Sequence, residues 1–230
     1  MANDTIDQPL QAAVNGHRVP CVVALAANRD GAVYQRAFGR RSLAEDPPMT
    51  VDTVFRIASM TKAVTGVAAM QCVERGLLSL DQPAGEIMPE LAELQVLDGF
   101  DADGKPILRP ARRKITLRML LTHTAGFVYP WWNASSNRYV EATGIPTTMS
   151  SKLAALNAPL GFDPGERWEY GINIDWIGRA IEAVAGQSLD AYFSAHIFAP
   201  LGMTDTGFVP SADQASRLVR VHRRGADGSL

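Results

Sequence analysis

Apolar residues recur at helical spacing between Ser59 and Arg75, and this stretch predicts the central helix of the chain. The apolar positions lie three and four residues apart, which places them on one helix face: Val64, Val67, Ala68, Met70 and Cys72. The stretch contains no proline, and Gly76 follows where a glycine often ends a helix. Because nearly every side of this helix is apolar, we predict that it is buried in the core.

Similar patterns predict further helices along the chain. Asp4 or Thr5 can cap a short helix that runs to about residue 14. Residues 173–185 are amphipathic and are followed by a glycine, which predicts a longer helix. Shorter helices are predicted at 116–123, 150–156 and 189–198.

Strands are predicted where short apolar runs lie between turn residues. Residues 21–27 predict a buried strand, and an Asp-Gly turn connects it to a second strand at 32–38, so the two form a hairpin. A second small hairpin is predicted around the loop at 98–104. Residues 206–209 and 217–222 also have a strand-like pattern.

Composition describes an ordinary globular protein, with 47% hydrophobic and 20% charged residues among 230. The formal net charge of −2 gives no electrostatic reason to expect a nucleic-acid or membrane partner. The only cysteines, Cys21 and Cys72, lie in apolar runs and are expected to be buried free thiols. No residues have metal-ligand spacing, and no cofactor is expected. The N-terminus has no apolar signal segment and no stretch has membrane-spanning length, so we predict a cytoplasmic protein.

Ser59 and Lys62 lie three residues apart at the start of the predicted helix and therefore share one face. A serine hydroxyl becomes a nucleophile when a base lies nearby, and a lysine amine can be that base. The positive end of the helix would also favour an oxyanion. The alternative is a capping serine beside a solvated lysine, because this short pattern is common by chance.

Four aromatic residues cluster in a proline-containing loop: Phe127, Tyr129, Trp131 and Trp132. Their rings either pin the loop onto the core or form one wall of an apolar substrate pocket. His123, in the turn just before the loop, is expected to be a structural histidine that bonds to backbone, and a catalytic role is the less favoured alternative.

Five segments together resemble the penicillin-recognising serine hydrolases, which comprise class C β-lactamases, D,D-peptidases and family VIII carboxylesterases. The segments span nearly the whole chain and occur in the family's order: 55–62 (FRIASMTK), 75–81 (RGLLSLD), 120–126 (LLTHTAG), 164–170 (PGERWEY) and 200–206 (PLGMTDT). The resemblance implies an α/β (α+β) fold, with an antiparallel sheet flanked by helices and a mostly helical domain beside it. It implies that residues 1–80 and about 205–230 contain the sheet and that 81–204 form the helical part.

The same resemblance implies that Ser59 is the acylated nucleophile, Lys62 its base or proton relay, and Tyr170 a second proton-exchanging group. It also implies that the Ser59 backbone N–H is one oxyanion donor. The family's lactamases and peptidases have an asparagine two residues after the tyrosine, whereas this chain has Ile172 there and Asn173 next. This departure favours an ester over an amide or β-lactam substrate. Candidate substrate-binding residues are Phe127, Tyr129, Trp131 and Asn173.

The family's third motif has no clear counterpart, because the only candidate is Asp205-Thr206-Gly207, whose first residue has the wrong charge. We therefore expect this chain to match the N-terminal part of a longer enzyme, with a second chain as one possible source of the rest. Residues 1–230 alone are expected to turn over slowly.

The predicted function is a serine carboxylesterase that acts on small or medium acyl esters, with weak β-lactam hydrolysis as a side activity. The alternatives are a β-lactamase or D,D-peptidase, and a non-catalytic fragment or binding protein of the same fold.

Overall fold

The computed structural model describes residues 4–45 and 47–230. Its helices, in chain order, are α1 (Asp4–Asn15), α2 (Thr61–Glu74), α3 (Leu117–Leu121), α4 (Ala134–Thr143), α5 (Asn173–Ala185), α6 (Leu189–Phe193) and α7 (Ala212–Ser216). Its strands are β1 (Cys21–Asn28), β2 (Gly31–Gly39), β3 (Gln95–Phe100) and β4 (Pro106–Pro110). The chain divides into two compact units, Met1–Ala58 with Asp205–Leu230, and Ser59–Thr204.

The first unit contains the predicted hairpin, since β1 pairs with β2 in antiparallel register from Cys21 opposite Gly39 to Asn28 opposite Gly31. Helix α1 packs beside it, and Tyr34 on β2 donates a hydrogen bond of 2.6 Å to Asp7 on α1. The prediction that β1 is buried was wrong. Leu25 on β1 is 60% exposed and Val33 on β2 is 63% exposed, because α1 covers only part of this two-stranded sheet.

The strand-like segments at 206–209 and 217–222 are not strands in the structure, which corrects both predictions. Helix α7 lies between them and begins with a reciprocal cap between Ser211 and Gln214. The second segment contributes one bridge, between Val54 and Leu218. The side chain of Arg217 anchors this region instead, because its guanidinium donates hydrogen bonds to two carboxylates and to a backbone carbonyl.

The second unit is built around α2 and α5, which pack against each other. Its core contains fully buried side chains from four helices: Ala68, Cys72, Leu120, Ile177, Ile181 and Phe193. Helix α2 is not buried on all sides as predicted, because Val67 is 51% exposed and Met70 is 41% exposed. Cys72 is a buried free thiol as expected, whereas Cys21 in the first unit is only partly buried.

Loops and short turns complete the second unit. The predicted hairpin around residues 98–104 is present as β3 paired with β4. The predicted helix at 150–156 is replaced by two 3₁₀ turns, Thr148–Ser150 and Leu153–Asn157, because Ser151 adopts a left-handed φ of 55° between them. Helix α4 was not predicted, although Asn133 caps it and Gly144 ends it.

The structure confirms the predicted mixed α/β class, although its antiparallel sheets are small. The predicted division of the chain at residues 80 and 205 stays a prediction. None of the helices in the described ranges is long and apolar enough to cross a membrane.

Candidate active site

Ser59 lies in a single 3₁₀ turn, Ala58–Met60, that leads directly into α2. The preceding Ala58 has a φ of 44°, a left-handed conformation that residues other than glycine seldom adopt. Lys62 follows in the first turn of α2, and its Nζ donates a hydrogen bond of 3.1 Å to Ser59 Oγ. The hydroxyl is thus exposed at the N-terminal end of a 14-residue helix, where a developing negative charge is favoured.

Tyr170 reaches the same hydroxyl from 111 residues away in the sequence. Its phenol donates a hydrogen bond of 2.9 Å to Ser59 Oγ, and Lys62 Nζ lies 5.1 Å from the centre of its ring. The structure therefore brings together the three side chains to which the sequence analysis gave catalytic roles.

Lys62 also influences the acidity of the groups around it. Burial alone would raise the pKa of Tyr170, but hydrogen bonds with Lys62 and Ser59 and the charge of Lys62 outweigh it, so the pKa is lowered. Asp175 lies in the first turn of α5. Its pKa is raised because its carboxylate is partly removed from water, which disfavours the charged form, although the charge of Lys62 opposes this effect. Asp175 was not among the predicted site residues, and it places a carboxyl group within electrostatic reach of Lys62 and Tyr170.

His123 holds the backbone on both sides of Tyr170. Its carbonyl oxygen accepts a hydrogen bond of 3.0 Å from the N–H of Glu169, and its Nδ1 accepts one of 3.4 Å from the N–H of Gly171. The rings of His123 and Tyr170 lie 4.8 Å apart. His123 has a left-handed φ of 56°, so its turn is shaped to present both acceptors to one short segment. This arrangement fixes the direction in which Tyr170 points.

Asn173 completes the support of His123. Its Nδ2 lies 3.1 Å from His123 Nδ1, and its side chain is fully buried. Burial, followed by the charge of Lys62, lowers the pKa of His123 to about 4, so the ring is neutral near pH 7 and Nδ1 can accept. The structure therefore places Asn173 behind Tyr170, and not at a surface that a substrate could contact as the sequence analysis expected.

Some rings of the aromatic loop are buried and others are exposed. The buried rings fit the first alternative, in which they pin the loop to the core, and the exposed rings fit the second, in which they line a substrate pocket. Phe127 is 1% exposed and stacks on Trp176 at 6.2 Å, which pins the loop to the core and removes Phe127 from any substrate wall. Tyr129 is also buried, and it stacks at 4.4 Å on Trp131, which is 46% exposed. Trp131 and the 65% exposed Trp132 are the rings of this loop that a ligand can reach.

Sequence reasoning missed Trp168, two residues before Tyr170. This indole is 65% exposed, and its ring lies 6.5 Å from that of His123. The signal available in the sequence was a tryptophan in the same predicted loop as a candidate catalytic residue. Within the described parts of the chain, no group of three or more His, Cys, Asp or Glu residues is arranged to hold a metal ion.

Comparison with known proteins connects this geometry to a family. The family model described as Beta-lactamase matches residues 4–229. The chain belongs to the Beta-lactamase family. It is 38% identical to the acyltransferase mokF of Monascus pilosus and covers 57% of that protein with 98% of its own length. It is 40% identical to lovastatin esterase of Penicillium rubens, over 93% of this chain and 55% of that protein.

The solved structure of unliganded simvastatin synthase (LovD) from Aspergillus terreus superposes with a TM-score of 0.90 at 36% sequence identity. The match covers 98% of this chain and 58% of that one. This superposition confirms the predicted β-lactamase/transpeptidase-like fold. The chain spans just over half the length of these three relatives. These members of the Beta-lactamase family are named for ester hydrolysis and acyl transfer, which are reactions of an acyl group.

Proposed function

We propose that Ser59 is the nucleophile of a serine carboxylesterase that forms an acyl-enzyme from small or medium acyl esters. The observation that carries this proposal is the convergence of two hydrogen bonds on one exposed hydroxyl, from Lys62 at 3.1 Å and from Tyr170 at 2.9 Å. A serine, a base and a cation within bonding distance are the groups that acyl transfer needs.

The pKa of Tyr170, which hydrogen bonds and the charge of Lys62 lower, supports a role for this phenol in proton transfer. In the proposed reactive form Tyr170 has lost its proton to solvent, and the charge of Lys62 stabilises the phenolate. The Ser59 hydroxyl proton moves to the phenolate while Oγ bonds to the ester carbonyl carbon. The restored phenol then gives its proton to the departing alcohol as the ester C–O bond breaks.

The acyl-enzyme is released when a second hydroxyl compound attacks it by the reverse sequence of proton transfers. Water as the acceptor gives an esterase, and an alcohol gives an acyltransferase. The relatives named as acyltransferases favour the second outcome as an alternative function of this same site. The Ser59 backbone N–H is the proposed oxyanion donor.

An ester fits the segment after Tyr170 better than a β-lactam does. Ile172 and Asn173 are both buried, and the Asn173 amide bonds to His123. Because Asn173 is fully buried, its side-chain amide lies out of reach of a substrate amide, and an ester makes no such demand. A β-lactamase or D,D-peptidase remains the weaker alternative.

Covalent labelling with a fluorophosphonate tests the nucleophile without requiring turnover. We expect labelling of one residue, Ser59, and its loss in Ser59→Ala. Hydrolysis of p-nitrophenyl butyrate should exceed that of a chromogenic cephalosporin. Labelling that persists in Ser59→Ala would contradict the assignment, and a faster reaction with the cephalosporin would favour the alternative.

A further inference from the structure

A cavity of about 640 Å³ opens beside Tyr170 and has two tryptophans in its walls. Its lining consists of Trp132, Asn133, Trp168, Glu169 and Tyr170. The Trp132 and Tyr170 rings lie 5.6 Å apart, and the Tyr170 hydroxyl is 2.9 Å from Ser59 Oγ. The cavity is therefore one tyrosine ring away from the proposed nucleophile, and its volume lies within the range of small-molecule sites.

The polar side chains of this cavity are already paired with protein groups. Glu169 accepts a hydrogen bond of 2.8 Å from Asn133 on one carboxylate oxygen and pairs with Arg167 at 3.2 Å on the other. The Asn133 carbonyl oxygen accepts the N–H of Ser136 at the start of α4. The cavity consequently offers no unpaired charge to a ligand, which argues against recognition of an anion.

The two indoles are the groups of the cavity that remain free to bind. Trp132 and Trp168 are each 65% exposed, and a tryptophan gains considerably when its ring is covered by an apolar partner. In the described part of the chain neither indole N–H has a protein acceptor, and each can donate a hydrogen bond to an oxygen atom. The cavity thus combines flat apolar walls with hydrogen-bond donors.

We propose that this cavity binds the non-reacting part of the substrate, as a neutral and largely apolar ring system that carries an oxygen acceptor. The inference rests on the proposed function for the identity of the ligand as part of the ester or of the acceptor alcohol. Trp132 and Trp168 are then the residues that determine specificity for ring-bearing substrates.

Equilibrium dialysis with 2-acetonaphthone tests this site directly, because the ketone is neutral, has a fused ring and a carbonyl oxygen, and is not hydrolysed. We expect saturable binding, weakened about tenfold by Trp132→Ala and by Trp168→Ala. The matched control is Leu153→Ala, which removes another exposed apolar side chain, 66% exposed, and should leave binding unchanged.

Binding that stays within twofold of the parent in both tryptophan variants would overturn the proposal. Circular dichroism of each variant shows whether it is folded, and because both indoles are exposed we expect folded proteins. Fluorophosphonate labelling of the same samples separates the two proposals. Labelling without naphthone binding refutes the cavity alone, and naphthone binding without labelling of Ser59 refutes the proposed esterase alone.

Discussion

Replacement of His123 by alanine should destabilise the second unit and release Tyr170. His123 Nδ1 faces two donors, the Gly171 N–H at 3.4 Å and the Asn173 amide at 3.1 Å. A buried donor that loses its acceptor costs about 1–3 kcal/mol. Because the hydrogen bond from the Gly171 N–H is long, we assign about 1 kcal/mol to its loss. Because Asn173 is fully buried, we assign about 2 kcal/mol to the loss of the acceptor for its amide. We therefore expect a loss of about 3 kcal/mol in the free energy of unfolding.

Urea denaturation measures this loss, and His17→Ala is the matched control. His17 has nearly the same left-handed φ, 55° against 56°, but it is exposed, so its replacement should cost at most about 0.5 kcal/mol. His123→Asn should recover part of the loss, because asparagine tolerates this φ and offers a short side-chain oxygen as acceptor. It should also recover part of the rate at which a fluorophosphonate labels Ser59. If His123→Ala and His17→Ala differ by less than about 1 kcal/mol, the proposed role of the two hydrogen bonds is refuted.

Three further predictions concern acid stability, a buried ion pair and a close backbone approach. The pKa of His123 is about 4 in the folded chain, against an ordinary value of 6.5. The contribution of this ring to stability is therefore complete above pH 6.5 and is lost as the pH falls from 6.5 to 4. Urea midpoints measured across this pH range will show the loss. Asp163→Asn should lower the urea midpoint at pH 7, because the hydrogen bonds from Arg109 that lower the pKa of this buried carboxylate to about 2 would be weakened. Gly171→Ala should cost at least about 2 kcal/mol, because a Cβ there would lie 2.3 Å from the carbonyl oxygen of Phe127.

Each of these predictions has a control within the chain. Acid stability should become flatter between pH 6.5 and 4 in His123→Asn, and an unchanged pH profile would contradict the assignment to this ring. Asp103→Asn, at an exposed carboxylate, should leave the urea midpoint unchanged. Gly207→Ala introduces a Cβ with no atom within 4 Å, and equal costs at Gly207 and Gly171 would show that the close contact is not the cause.

The pairing of Ser59 with Lys62 could be predicted from the sequence because it depends on local helix geometry. Helical spacing alone places Lys62 on the same face as Ser59, and the hydrogen bond between them follows from that geometry. Tyr170 could be assigned to the site only through the resemblance to known hydrolases. Its own segment contains no pattern that predicts a hydrogen bond with Ser59, 111 residues away. His123 was expected to bond to backbone and Asn173 to bind substrate, but the contacts that place both behind Tyr170 could not be predicted, because hydrogen bonds between distant turns have no periodic pattern.

The errors in the fold also have physical causes. Helix α4 has polar residues on most sides and therefore lacks an apolar stripe, although its cap Asn133 and its terminal Gly144 were both visible. The segment 217–222 has the alternation of a strand, but Arg217 ties it to carboxylates through its side chain, and its backbone makes one bridge. The exposure of β1 could not be predicted, because the sequence of an apolar strand does not determine how much of its surface a neighbouring element covers.

The convergence of Tyr170 and Lys62 on the Ser59 hydroxyl is tested most directly by the rate of fluorophosphonate labelling in Tyr170→Phe. This change removes one hydroxyl and keeps the ring, so the packing around it is preserved. Loss of a positioned proton acceptor should slow labelling at least about 100-fold, whereas Tyr139→Phe on α4 should label at the parent rate. Tyr170→Phe that labels as fast as the parent would contradict the account.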